Sequence, residues 1–137
     1  MTTSTSSKEL IGILAAQRSY YDAGSLHNLT NRITALKRLE NVLMDNESAI
    51  LNALREDLNK PAHEAYLSEY YFVLKELRLI IHSLKKWLKP QGVRNPFYFL
   101  PSRSRITRAP HGAVLIFSPW NYPIQLALSP LISAVAA

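Results

Sequence analysis

The chain has 137 residues, a formal net charge of +6 and no cysteine. A length of this order supports one domain with a real core, and 47% hydrophobic against 19% charged residues describes a globular rather than a disordered polypeptide. The missing cysteines exclude disulfides and zinc–thiolate centres, no apolar run reaches the ~18 residues of a transmembrane helix, and the opening Met1–Ser7 lacks the basic and apolar regions of a secretory signal.

From Met1 to about Ser6 the sequence is polar and expected to be loose. Ser6 or Ser7 is placed to cap a first helix, with Glu9 in its first turn. Leu10, Ile11, Leu14, Ala15 and Tyr21 recur at helical spacing, and Gly24 ends the pattern. Tyr20 and Tyr21 are expected in core or interface packing. After a short connection from Leu26 to Thr30, Thr30 or Asn31 is expected to cap a second helix. Its Ile33, Leu36, Leu39 and Leu43 share one face, and Arg32, Lys37, Arg38 and Glu40 fall largely on the other. Acidic residues interleave with that basic cluster, so it is expected to be a solvated face rather than a nucleic-acid surface. The pattern pauses at Asp45-Asn46. Glu47 then opens a third helix or a kinked continuation, striped by Ile50, Leu51, Leu54 and Leu58 and ended by Pro61.

A fourth, longer helix is expected from about Ala62 to Trp87. Leu67, Tyr70, Leu74, Leu77, Ile81, Leu84 and Leu88 recur at spacings of three and four, and Tyr66, Tyr71 and Phe72 broaden the stripe. A helix apolar over so much of its circumference is packed by more than one neighbour. His27, His63, His82 and His111 are scattered, and adjacent His63 and Glu64 point to different faces. All four histidines are expected at the surface or in caps, with no metal site.

From Lys89 to Pro110 the composition changes. Pro90, Gly92, Pro96, Pro101 and Pro110 break helices, and Ser102 to Arg108 alternates as an extended strand with one charged face. All acidic residues lie at or before Glu76, and eight Lys or Arg follow it. Such a basic strand could contact phosphates, but no recognition helix or nucleic-acid sheet motif accompanies it, and a nucleic-acid partner is not expected.

The segment from His111 to Ala137 organises the rest. Ala113-Val114-Leu115-Ile116-Phe117 has the pattern of a strand buried on both faces, as in a parallel sheet. Pro119 ends it and holds Ser118 extended. Pro123 suits the first turn of a helix, and the apolar or small residues from Ile124 to Ala137 suit a buried one. The unit is strand, tight turn, helix, and in open α/β sheets ligands bind at the strand's carboxyl end. Taken alone, Asn121 would be the helix N-cap, for which Asn is favoured, and Trp120 and Tyr122 would be core aromatics.

Pro119-Trp120-Asn121-Tyr122-Pro123, preceded by Gly112-Ala113-Val114-Leu115-Ile116 and followed by the Pro130-Leu131-Ile132 helix, resembles the Trp-Asn-Tyr-Pro segment of the aldehyde dehydrogenase superfamily. The tyrosine after the asparagine and the directly helical upstream region resemble its class 3 branch, which acts on fatty or aromatic aldehydes. The likeness runs from about Asn31 to Ala137. It implies an α/β fold, of which this chain holds the N-terminal helices, the first strand–turn–helix of a Rossmann-like cofactor domain and one strand of an oligomerisation arm. The corresponding division is 1–88, 89–110 and 111–137. The arm strand would pair with structure from elsewhere, so no partner strand within this chain is expected for it.

The resemblance also implies chemistry. In this family a cysteine adds to the aldehyde to give a thiohemiacetal, and a side-chain amide N–H stabilises the oxyanion. Asn121 would hold that role. The backbone of Ser118, Pro119 and Trp120 would pass beside the nicotinamide ribose of NAD or NADP. Tyr122, Gln125 and Leu126 would line the aldehyde tunnel. A homodimer is implied for the whole enzyme, and a cytoplasmic location is expected; membrane association stays open, because the C-terminal tail of some class 3 relatives would lie beyond this chain. The thiolate nucleophile is absent here, and Ala134 to Ala137 carries no helix stop signal. The expectation is therefore the N-terminal part of a longer dehydrogenase, inactive and incompletely packed by itself. The alternative is a non-catalytic helical interaction module.

Overall fold

A computed structural model of the chain describes residues 6–24 and 26–137; the loose start expected from Met1 lies outside the described residues as far as Thr5. Among the described residues six α-helices dominate: α1 (Ser7–Asp22), α2 (Leu29–Asp45), α3 (Glu47–Leu58), α4 (Ala62–Ala65), α5 (Tyr71–Trp87) and α6 (Pro123–Ala136). A π-helical turn, Tyr66–Tyr70, joins α4 to α5 without a break, so the long fourth helix of the sequence pattern exists with a bulge in it.

Local signals account for most ends. Ser6 accepts a hydrogen bond from the Glu9 amide at the start of α1, and Gly24, at φ 73°, follows its last turn in the left-handed conformation that glycine adopts without strain. The cap of α2 is Asn28, whose side chain accepts from the Thr30 amide at 2.8 Å, rather than Thr30 or Asn31. The helix begins at Leu29, four residues before Ile33 opens the apolar stripe, and its first turn already packs: Leu29 lies against the core cluster. Asn59 ends α3 in the left-handed region, at φ 51°, so the helix stops before Pro61 is reached.

The core lies where α2, α5 and α6 meet. Leu36 and Leu43 of α2, Val73, Leu74, Leu77, Ile80 and Leu84 of α5, and Ile132 and Ala136 of α6 are buried in one cluster. Helix α5 is covered by two neighbours, α2 and α6, as its wide stripe requires. The π turn displaces the stripe by one residue: the Tyr71 amide bonds the Tyr66 carbonyl, five residues back. As a result Glu69 and Tyr70 are buried side by side, whereas Leu67, expected in the stripe, is exposed. Glu76 of α5 accepts a hydrogen bond from the Ser129 hydroxyl of α6, next to Pro130, which lacks an amide to continue the ladder.

Several expectations are corrected here. Arg32 does not lie on a solvated face. It is buried, and its guanidinium donates to the carbonyls of Leu26, Ala136 and Ala137. These acceptors satisfy its N–H groups, which is what lets a cation leave water. The stripe of α1 contributes no buried residue, and Tyr20 is exposed, because the described residues place no second layer over that face. Tyr21 does pack, edge-on to the His27 ring at 5.0 Å.

The region 89–110 projects as an exposed antiparallel pair, β1 (Gln91–Val93) with β2 (Ser104–Ile106), in the register Gln91↔Ile106, Gly92↔Arg105 and Val93↔Ser104. The strand expected to lack a partner within the chain therefore has one. The short β1 was hidden because Pro90 and Gly92 read as helix breakers. The next expected strand, Ala113 to Phe117, forms no strand and belongs to no sheet among the described residues. Leu115 and Phe117 are 78% and 86% exposed, since a parallel strand needs neighbours and none is supplied among the described residues. Helix α6 is correspondingly half-buried over much of its length rather than enclosed. Among the described residues no helix is long and apolar enough to cross a membrane.

Candidate active site

The segment Ser118–Leu126 combines open main chain with a rigidly held helix start. Pro123 is the first residue of α6, where its missing N–H costs nothing because the first amides of a helix have no internal partner. The next amide, Ile124, is satisfied from another element: it donates to Oε2 of Glu69 at 2.9 Å. Glu69 is wholly buried in the π turn. A carboxylate at this end of α6 also faces the positive end of the helix dipole.

The other Glu69 oxygen, Oε1, is paired with the Lys60 ammonium. Lys60 follows the left-handed Asn59 and is only 12% exposed. The same ammonium donates to the main-chain oxygen of Asn121 at 2.8 Å and stands 3.9 Å over the Tyr122 ring. One cation thus touches a carboxylate, a carbonyl and an aromatic face, each of which favours positive charge.

The expected site residues fall around this anchor. Asn121 is exposed; it is not the N-cap of α6, which is Tyr122 with no side-chain cap bond. With Glu69 serving the Ile124 amide, the Asn121 side chain has no hydrogen bond among the described residues. Trp120 is 84% exposed and not a core aromatic. Ser118 and Pro119 precede it in a segment outside helix and strand, where among the described residues no backbone–backbone hydrogen bond is formed from Ala113 to Asn121. Tyr122, Gln125 and Leu126 are half-buried on the first turn of α6, and the Leu126 amide closes on the Tyr122 carbonyl at 2.9 Å. No group of three or more acidic or histidine side chains among the described residues could hold a metal.

Lys60 and Glu69, which hold this helix start, were not singled out by the sequence pattern. The available signal was spacing: position 69 lies four residues after Ala65 and four before Val73, both buried, so a carboxylate there falls on an apolar face and needs a partner.

Comparison with known proteins identifies the family. The model of the aldehyde dehydrogenase family matches residues 2–137. An aldehyde dehydrogenase of Craterostigma plantagineum is 36% identical over 92% of this chain and 26% of its own length. The 4,4'-diaponeurosporen-aldehyde dehydrogenase of Staphylococcus aureus is 39% identical over 88% of this chain and 28% of its own. Aldehyde dehydrogenase family 3 member F1 of Arabidopsis thaliana is 36% identical over 90% and 26%. A solved structure of Staphylococcus aureus AldH in a substrate-bound state superposes with a TM-score of 0.88 at 36% identity, covering 92% of this chain and 28% of that one. The chain spans about a quarter of the length of these relatives. On sequence and structure alike, it belongs to the aldehyde dehydrogenase family and is of the class 3 type.

Proposed function

We propose that this chain forms the N-terminal part of an NAD(P)-dependent aldehyde dehydrogenase that oxidises an aldehyde to a carboxylic acid. In this reading a thiolate adds to the aldehyde carbonyl, and the carbonyl oxygen becomes an oxyanion. The Asn121 side-chain amide donates a hydrogen bond to that oxygen. The chain contains no cysteine, so the thiolate comes from polypeptide outside these 137 residues.

The observation that carries the assignment is the division of labour at the start of α6. Glu69 satisfies the Ile124 amide, which leaves the exposed Asn121 amide free for another acceptor. An oxyanion donor must be held in place before charge develops and must not be engaged elsewhere. The main chain of Ser118, Pro119 and Trp120 is open to approach, which fits it to lie beside a nicotinamide ribose. The nucleotide would supply a hydride acceptor. Tyr122, Gln125 and Leu126 share the same end of α6 and would line the aldehyde tunnel. The exposed β1–β2 pair would serve as the arm of a homodimer.

The test is Asn121→Ala in the dehydrogenase polypeptide that carries this sequence. Loss of an oxyanion donor costs roughly 10²–10³ in turnover, so NAD(P)-linked oxidation of an aldehyde should fall by about that factor. Unchanged turnover refutes the assignment.

A further inference from the structure

We infer that Lys60 and Glu69 are positioning residues for the oxyanion donor, acting through the main chain of Asn121 and Ile124. The inference rests on the proposal that Asn121 donates to the oxyanion. The two residues come from parts of the chain remote from the motif: Lys60 from the link between α3 and α4, Glu69 from the π turn. Their ion pair holds the turn at two points. Lys60 fixes the Asn121 carbonyl at 2.8 Å, and Glu69 fixes the Ile124 amide at 2.9 Å. Tyr122, between the two anchored positions, presents its ring to the same ammonium at 3.9 Å.

This arrangement restricts the group that matters. The Asn121 side chain is exposed and has no hydrogen bond of its own among the described residues, so the restraint that these contacts place on it acts through its backbone. Rotation of the peptide between Asn121 and Tyr122 would pull the carbonyl away from Lys60. Movement of the helix start would withdraw the Ile124 amide from Glu69. The segment before the turn offers no comparable restraint, since among the described residues it makes no backbone–backbone hydrogen bond.

The π turn gives the pair its geometry. The added residue brings Glu69 and Tyr70 into the interior together, so Glu69 faces the start of α6 while Tyr70 keeps its place in the core cluster. Such bulges are frequent at functional sites, and here the bulge delivers a fully buried carboxylate to the helix next to the proposed donor.

A structural role and a positioning role separate in one variant. Lys60→Met combined with Glu69→Leu removes both charges together and leaves no buried ion unpaired, a replacement that proteins commonly tolerate. It also removes both anchors of the turn. Made in the full dehydrogenase polypeptide carrying this sequence, the double variant should keep a near-native melt and an unchanged KM for the nucleotide, while kcat falls by about 10²-fold, the loss that a 1 Å misplacement can cause. The triple variant that also carries Asn121→Ala should be no slower than Asn121→Ala alone, because the pair acts only through Asn121. Wild-type kcat in the double variant overturns the inference. So does a loss that multiplies with that of Asn121→Ala. Asn121→Ala measured alone keeps the two proposals apart: if it leaves turnover intact, the oxyanion assignment is what fails. Should the double variant not fold, Lys60→Met with Glu69→Gln takes its place: it also leaves no buried charge unpaired and still removes the anchor on the Asn121 carbonyl, so a kcat loss that does not multiply with that of Asn121→Ala is again expected.

Discussion

Removing the Glu69 carboxylate alone should destabilise the packing of α6 far more than removing the whole ion pair. In Glu69→Leu, Lys60 stays 88% enclosed, since its side chain is 12% exposed, but has no counter-charge. Two unit charges about 4 Å apart attract by roughly 4 kcal/mol at an effective dielectric near 20, and breaking a buried pair from one side costs about 3–5 kcal/mol. Lys60 keeps its bond to the Asn121 carbonyl and its place over the Tyr122 ring, which puts the expected loss near the lower figure, about 3 kcal/mol. The Ile124 amide loses its acceptor in the single and the double variant alike, so that contribution cancels between them. Adding Lys60→Met should therefore recover most of the loss. The assay is native-state hydrogen exchange over the α6 peptides, backed by thermal melting, because exchange reads local opening even within a large protein. A Glu69→Leu cost under about 1 kcal/mol, the range of exposed pairs, or a double variant less stable than the single, would refute the reasoning.

Three further outcomes are expected. Asn121→Ala should leave stability within about 0.5 kcal/mol of the parent, where loss of a working N-cap would cost about 1 kcal/mol; a melt compared with that of the parent decides between them. Leu77→Ala, at a side chain with no exposure in the centre of the α2–α5–α6 cluster, should cost about 2–5 kcal/mol. Its neighbour Leu79, 56% exposed, should cost far less, and denaturant unfolding of the two variants checks the contrast. Burial, with the Glu47 carboxylate beside the hydroxyl, raises the Tyr70 phenol above its ordinary value of 10.0. The folded state therefore holds this proton where the unfolded chain releases it. That stabilisation is complete below pH 10 and is lost as pH climbs from there through the folded-state value. Tyr70→Phe should flatten the alkaline decline, as followed by melts between pH 9 and 11; an identical decline in the variant would contradict the shift.

Much of this molecule is written in short-range pattern. The stripe Ile33, Leu36, Leu39 and Leu43 points one face of α2 inward, and Leu36 and Leu43 are indeed buried there. The wide stripe of α5 asks for two neighbours and has them in α2 and α6. Ser6, Gly24 and Pro123 punctuate helices through their own backbone and side-chain chemistry, which needs no distant partner. The Trp-Asn-Tyr-Pro segment likewise announces the family from a handful of adjacent residues.

Polar burial follows a different logic. Periodicity assigned Arg32 to solvent because it is charged, yet the carbonyls of Leu26, Ala136 and Ala137 converge on it from two other parts of the chain. Asn121 has the identity of an N-cap, but the start of α6 takes its acceptor from Glu69, 55 residues earlier. The apolar run Ala113 to Phe117 has a strand's composition and pairs with no strand among the described residues, because a ladder is a property of two segments. Composition and spacing determine where helices form and which face is apolar, since those depend on neighbours within a turn or two. Which charges enter the interior, and which side chain serves the start of α6, was decided only when the chain after α3, the π turn and α6 came together to supply the partners that burial requires.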